Sequence, residues 1–184
     1  PTRRSSDLTS MTHVYNGMTP FHHRNPGLVG AALRMHDLYG EVIGDGHHSH
    51  LAALHVFFQS KGRERGILIT DSLRAKHCPP GENYQLGGHD IEIRQDGLAY
   101  LLGTDTIAGS TLSMNRGLQI LVEEAGVPLD AAVNACTINP ARCLGVDRRK
   151  GKICAGYDGD LTILDQDYSV VQTYCRGVEQ LGKR

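Results

Sequence analysis

The chain has 184 residues, 40% of them hydrophobic and 21% charged, with a formal net charge of −1. That length can bury one sizeable core but falls short of the ~250 residues of a complete (β/α)8 barrel. The charge balance gives no electrostatic basis for a nucleic-acid or membrane partner, and no apolar run approaches the ~18 residues of a membrane span. Residues 1–8 correspond to one reading frame of a common sequencing-adapter oligonucleotide, with no initiator Met, and are set aside as non-native. The remainder is expected to be the C-terminal part of a longer polypeptide. Five cysteines without a Cys-x-x-Cys pair read as reduced thiols of a cytoplasmic protein.

The elements follow from periodicity. Residues 28–38 read as a helix after Pro26-Gly27, with Leu28, Ala31, Ala32 and Met35 on one face. Residues 41–45 form a short buried strand. A second helix spans 50–61, with Leu51, Leu54, His55 and Phe58 at helical spacing and Lys61-Gly62 closing it. The β-branched run 66–70 is another buried strand, and strand–helix–strand alternation implies a parallel sheet. From 78 to 109 the pattern changes: Ile91 and Ile93 alternate against Leu98 and Tyr100, a hairpin with a type I′ turn at Asp96-Gly97. Gly87-Gly88 is a turn and not a phosphate loop, since no helix or Lys-Ser/Thr follows.

An amphipathic helix over 111–125 carries Met114, Leu118, Leu121, Val122 and Ala125 on one face. Gly126 caps it and Pro128 opens the next helix, with Leu129, Ala132, Val133 and Cys136 recurring. Residues 150–179 alternate Gly turns with β runs, a small antiparallel sheet in a separate module.

Three polar residues close short apolar runs: His13, His48 and Asp71, lying 35 and 23 residues apart. A parallel βα unit takes ~30 residues, so each marks the carboxyl end of a successive strand, the edge where barrel enzymes keep their chemistry. Two imidazoles and a carboxylate there suggest metal-assisted hydrolysis. Each also has a plainer reading: His13 as a core histidine satisfied by backbone, Asp71 as a helix N-cap, and Arg24 as a surface arginine. Spacing alone does not choose between His47 and His48. His36, His55, His77 and His89 read as solvated or packing residues.

Several blocks together carry a resemblance: Thr-His-Val-Tyr-Asn-Gly-Met (12–18), His-Arg-x-Pro-Gly (23–27), Asp-Gly-His-His (45–48), Leu-Ile-Thr-Asp (68–71), Ile-Ala-Gly-Ser (107–110), Thr-x-Asn-Pro-Ala-Arg (137–142) and Gly-Tyr-Asp-Gly-Asp-Leu (156–161). In this order they resemble the N-acetylglucosamine-6-phosphate deacetylases of the amidohydrolase superfamily. The resemblance implies an α/β fold: a partial (β/α)8 TIM-type barrel, its last strands and helices over 9–148, plus a small β-sandwich segment over 149–184.

It also implies roles. His13 is a ligand of a divalent metal (zinc first, iron or manganese as alternatives). Asn16 and Gly17 touch the substrate phosphate or sugar, and the family more often has Ala at the position of Gly17. Arg24 binds the 6-phosphate, within a homodimer. His48 orients the substrate and polarises the acetyl carbonyl, Asp71 is general base and then acid, and Ile107, Ala108 and Gly109 line the acetyl pocket. A Glu and a second His that complete the metal site are expected upstream of residue 9, so this chain alone is expected to be inactive and prone to aggregate. His22 and His23 belong to the motif without a derivable role. Other specificities within the superfamily, for N-acetylgalactosamine 6-phosphate or a cyclic amide, are the alternatives.

Overall fold

The computed structural model describes residues 8–76, 79 and 83–180. Readings that fall on residues 1–7, His77 and Cys78 lie outside the described residues. Strands β1 (Ser10–Met11), β2 (Tyr39–Ile43) and β3 (Gly66–Ile69) form a parallel sheet in that order, linked by helices α1 (Gly27–Arg34) and α2 (Leu51–Arg65). The expected alternation is therefore present, with shifted ends. Helix α1 stops at Arg34 because Met35 is already extended, at φ −81° and ψ 94°. In α2, Gly62 at φ 60° and ψ −158° interrupts the helix at the expected place, and a short turn follows.

Met11, Val42 and Leu68 on one face of the sheet join Leu54, Phe57 and Phe58 of α2 in the main core. Gly40 and Gly66 are partners across β2 and β3. A Cβ at Gly40 would lie 2.8 Å from the Phe57 ring, and one at Gly66 would lie 2.6 Å from the Phe58 ring. The two phenyl rings meet edge to face with centroids 5.2 Å apart. Lys61 is buried beside them, and its Nζ donates to the Met35 and Leu38 carbonyls at 2.8 and 3.0 Å. The ammonium thus satisfies backbone that the turn between α1 and β2 leaves open.

Strands β4 (Asn83–Leu86), β5 (His89–Ile93) and β6 (Ala99–Leu101) make an antiparallel meander. The type I′ turn falls at Gly87-Gly88, where both residues have positive φ (57° and 86°). At Asp96-Gly97 only Gly97 is left-handed, and its N–H closes on the Arg94 carbonyl at 2.9 Å. The expected type I′ turn there is corrected to a turn ending in a left-handed glycine, which leaves one residue unpaired.

The helix expected over 111–125 is α3 (Met114–Gln119) running into a π-helical turn, Ile120–Glu124, where the Ala125 N–H reaches back to the Ile120 carbonyl. Helix α4 (Leu129–Cys136) corrects the expected apolar face: Ala131, Ala132 and Ala135 are buried, whereas Leu129 and Val133 are exposed. Small side chains let α4 approach α2 and β3 closely. Helix α5 (Ile138–Cys143) follows, with Asn139 Nδ2 donating to the Arg63 and Gly66 carbonyls at 3.1 and 2.9 Å.

Strands β7 (Leu161–Leu164), β8 (Val170–Cys175) and β9 (Val178–Gln180) form a second antiparallel sheet. This is the antiparallel sheet expected from the Gly turns and β runs of 150–179. Ile163, Val171 and Val178 are exposed on it.

The paired-glycine contact makes Phe57, fully buried, a sensitive probe. Phe57→Ala should destabilise the fold by about 3–5 kcal/mol in denaturant titration. A loss below about 1 kcal/mol, the scale of an ordinary substitution, would contradict this packing.

Candidate functional site

His13, His48 and Asp71 all stand just past the carboxyl ends of parallel strands: β1, β2 and β3 respectively. Parallel pairing puts those ends on a single edge, so the structure brings the three loops together there. Two of the three residues are held in the left-handed region, His13 at φ 30° and Asp71 at φ 48°, as is Tyr15 at φ 81°. Such a conformation costs of order 1–3 kcal/mol per residue and persists where the surroundings enforce it.

The enforcing contacts are visible. After β1, the Val14 N–H donates to the Glu41 carbonyl at 2.8 Å, Thr12 Oγ1 donates to Glu41 Oε2 at 2.7 Å, and the Asn16 N–H donates to the His13 carbonyl at 2.9 Å. Tyr15 Oη donates to the Ala53 carbonyl at 3.0 Å, and burial pushes its phenol up to about 12, so it stays a donor.

Asp71 is exposed, and its backbone is fixed by the fully buried Ser110. The Ser110 N–H donates to the Asp71 carbonyl at 2.9 Å, its hydroxyl donates to the Thr70 carbonyl, and its own carbonyl accepts from Leu73 at 2.9 Å. Ile107, Ala108 and Gly109 lead into this residue and are half-buried. Gly109 has φ 79° and leaves no room for a Cβ, which would sit 2.8 Å from Leu73.

His48 is paired with a residue that sequence reasoning quoted without giving it a role. Asp45, buried, accepts the His47 and His48 backbone N–H groups on Oδ1, both at 2.9 Å, and meets His48 Nδ1 with Oδ2 at 2.5 Å. Burial opposes ionisation of Asp45, but its bonds to the His48 ring and to the two backbone amides outweigh it, and the carboxyl lies below its ordinary value. The ring of His47 is exposed and only its amide takes part. The Asp-x-x-His spacing was the signal available for this pair, and Ile-Ala-Gly-Ser was the signal for Ser110.

Arg24 is exposed on a tight loop after β1. His22 shapes that loop: its Nδ1 accepts the Arg24 N–H at 3.3 Å, and its carbonyl accepts the Asn25 N–H at 2.9 Å. This supplies the role that the sequence left open for His22, whose ring also lies 4.3 Å from that of His23. Gly17, at φ 64°, occupies a conformation that glycine adopts without strain. Of the other histidines, His55 and His36 bind backbone carbonyls through Nδ1, at 2.8 and 3.1 Å.

Buried polar atoms are nearly always hydrogen-bonded. His13 Nδ1, Asn16 Nδ2 and Ser49 Oγ are buried without a partner, and all three sit on the loops at this edge. An unpartnered imidazole nitrogen is a donor atom suited to a divalent metal. Among the described residues no group of three or more His, Cys, Asp or Glu could hold a metal, and His13 Nδ1 is a single candidate donor atom. Burial pushes the Cys136 thiol up to about 12 and removes it as a thiolate ligand. A groove of about 850 Å³ lies elsewhere, between α3, α4, α5 and the C-terminal sheet; Cys136 lines it, but His13, Asn16, His48 and Asp71 do not.

The carboxyl edge of a parallel sheet, where these polar residues gather, is the edge at which barrel enzymes keep their chemistry. The amidohydrolase family profile matches residues 27–179, and the chain belongs to that family. It is 43% identical over 167 residues to an N-acetylglucosamine-6-phosphate deacetylase of Bacillus subtilis (strain 168), covering 91% of this chain and 41% of that protein. It is 37% identical over 167 residues to an N-acetylgalactosamine-6-phosphate deacetylase of Escherichia coli O157:H7, covering 91% of this chain and 43% of that one. A solved N-acetyl-D-glucosamine-6-phosphate deacetylase mutant of Mycobacterium smegmatis, in complex with N-acetyl-D-glucosamine-6-phosphate, superposes with a TM-score of 0.86 at 36% identity, over 93% of this chain and 45% of that one. The chain thus spans less than half the length of these relatives. Among the described residues, no helix is long and apolar enough to cross a membrane.

The depressed Asp45 carboxyl sets a sign for acid stability. Its contribution is complete above the unfolded value of 3.8 and is lost as pH falls through the lower folded value. Thermal melts of wild type and Asp45→Asn should therefore differ at neutral pH and converge on acidification below about 4. A difference that does not narrow there would contradict a buried, ionised Asp45.

Proposed function

We propose that this chain forms the C-terminal part of a metal-dependent deacetylase that converts N-acetylglucosamine 6-phosphate to glucosamine 6-phosphate and acetate in amino-sugar catabolism. The observation that carries this reading is the set of unsatisfied buried donors, His13 Nδ1 and Asn16 Nδ2, on the edge that also holds strained Asp71. In this reading β1, β2 and β3 are the sixth, seventh and eighth strands of a (β/α)8 barrel within residues 9–148. Residues 149–184 supply strands of a small β domain, and residues 1–8 are non-native.

The amide is a poor electrophile and the sugar amine a poor leaving group. When bound, a divalent metal (zinc first, iron or manganese otherwise) supplies Lewis acidity for water and carbonyl near neutral pH. His13 is one of its ligands; the others belong to the longer polypeptide. The Asp71 carboxylate accepts a proton from the attacking water and later delivers it to the departing nitrogen, so that water and amide become acetate and amine. Its exposed position past β3 leaves both oxygens free for that exchange. His48 orients the substrate, while Ile107, Ala108 and Gly109 line the acetyl pocket.

Arg24 takes the 6-phosphate, for which its planar fork offers bidentate donors. Asn16 and Gly17 contact phosphate or sugar. The working state is a homodimer in the cytoplasm, where the cysteines stay reduced; the four described ones are free. The galactosamine epimer is a second reading, favoured by the 37% identity to a relative of that specificity. Nothing favours a cyclic-amide substrate.

In the full-length polypeptide, Asp71→Asn should lower kcat by about 10²–10⁴-fold with folding unchanged, read as acetate release from the phosphorylated sugar. Near-normal turnover would remove Asp71 from its role. Arg24→Ala should raise KM for the phosphorylated sugar while leaving the unphosphorylated one unaffected. If both sugars respond alike, Arg24 does not bind the phosphate.

A further inference from the structure

We infer that Asp45 is a positioning residue that assigns the proton of His48 to Nδ1 and so presents Nε2 to the substrate. The inference rests on the deacetylase reading for what His48 does, but not for how the pair is built. The side chains of His48 and Asp45 are only 7% and 5% exposed, so water cannot substitute for either partner. Oδ1 of Asp45 is occupied by the His47 and His48 amides, and Oδ2 meets Nδ1 of the ring at 2.5 Å.

An ionised carboxylate accepts hydrogen bonds and cannot donate them. The contact at Oδ2 therefore requires a proton on Nδ1. The bond made by one ring nitrogen decides what the other can do. With Nδ1 committed to Asp45, Nε2 carries the lone pair and accepts from a substrate O–H or N–H at the carboxyl edge of the sheet, so His48 orients the substrate and does not donate to the acetyl carbonyl.

The same carboxylate also shapes the backbone. By holding two successive N–H groups on Oδ1, it folds residues 45–48 into a turn that carries the ring over the end of β2. One side chain thus sets both the position of the imidazole and its tautomer. Gly46, at φ 76° between them, permits the tight turn. Neither effect needs Asp45 to touch substrate.

Asp45→Asn separates the two effects. The amide oxygen can still accept both backbone N–H groups, so the turn survives. The amide nitrogen now donates to Nδ1, which moves the ring proton to Nε2. The experiment is a long-range proton–nitrogen NMR spectrum of the full-length protein labelled at histidine, with acetate release measured on the same samples.

Wild type should show His48 protonated at Nδ1. D45N should show the proton at Nε2, an unchanged circular dichroism spectrum, and kcat lower by about 10–100-fold with KM little changed. In a His48→Ala background, D45N should add no further loss. Wild-type His48 with a bare Nδ1 would overturn the inference, as would D45N retaining its full effect on kcat without the imidazole. A wild type that releases no acetate, yet shows the Nδ1 proton and its reversal in D45N, supports the pairing and sinks only the substrate assignment.

Discussion

The contact between two paired glycines and two phenyl rings governs everything built on the parallel sheet. Gly40 and Gly66 face each other in adjacent strands, and the missing Cβ atoms admit Phe57 and Phe58 of α2 against the backbone. That seat fixes how far α2 lies from the sheet and where β2 sits beside β3. A one-residue slip would turn every side chain of a strand to the opposite face and would collide the rings with whatever replaced the glycines. Because the register holds, the loops after β1, β2 and β3 leave the sheet on the same edge, and His13, His48 and Asp71 share it. Full burial of each phenyl contributes about 1.5–3 kcal/mol, the same order as the cost of one strained residue at that edge.

Among the described residues most of the left-handed strain outside glycine lies at this edge, with Tyr168 and Arg176 in the turns of the C-terminal sheet as the exceptions. His13, Tyr15 and Asp71 take left-handed backbone within a few residues of strand ends, while among the described residues no non-glycine residue inside the strands or helices does so. Fixed donors and acceptors hold them there: the Glu41 carbonyl under Val14, the Ala53 carbonyl on Tyr15, and Ser110 bonded to both Thr70 and Asp71. Ser110 explains why a segment some 40 residues beyond β3 belongs to the site. It closes the meander insertion back onto the strand end, so Asp71 is fixed by backbone bonds and its carboxylate need not be spent on them.

Much of this was legible in the sequence, and the failures have physical causes. Strand–helix alternation, the shared edge and the three site candidates follow from apolar runs that each end in a polar residue. Periodicity weighs hydrophobic bulk and not the distance of approach, so it put Leu129 and Val133 of α4 inside, where the structure buries Ala131, Ala132 and Ala135. The Asp-Gly pair at 96–97 matches a type I′ turn in composition, yet only the glycine adopts positive φ, and Gly87-Gly88 takes that turn instead. The π-helical turn after α3 leaves no mark in composition, since Leu121 and Val122 serve either helix. Asp45 was visible as part of Asp-Gly-His-His, but its bond to Nδ1 depends on the fold of the 45–48 turn and could not be read from spacing. The left-handed backbone at His13 and Asp71 was likewise hidden, because it is imposed by contacts distant in sequence.

The two faces of the sheet differ in how completely they are satisfied. Toward α2, side chains interdigitate and the buried Lys61 ammonium has carbonyl partners, with Asn139 Oδ1 near the start of β3 the one unpartnered atom among the described residues there. At the carboxyl edge, an imidazole nitrogen, an amide nitrogen and a hydroxyl are buried without partners. Leaving such a group unpaired costs about 1–3 kcal/mol, so three on one edge form a deficit that the opposite face must carry. A ligand that accepts from Asn16 or coordinates His13 gains what the fold has forgone there. The same division explains why Asp45 matters: both of its carboxylate oxygens have partners, and it holds His48 in place while His13, Asn16 and Ser49 stay open.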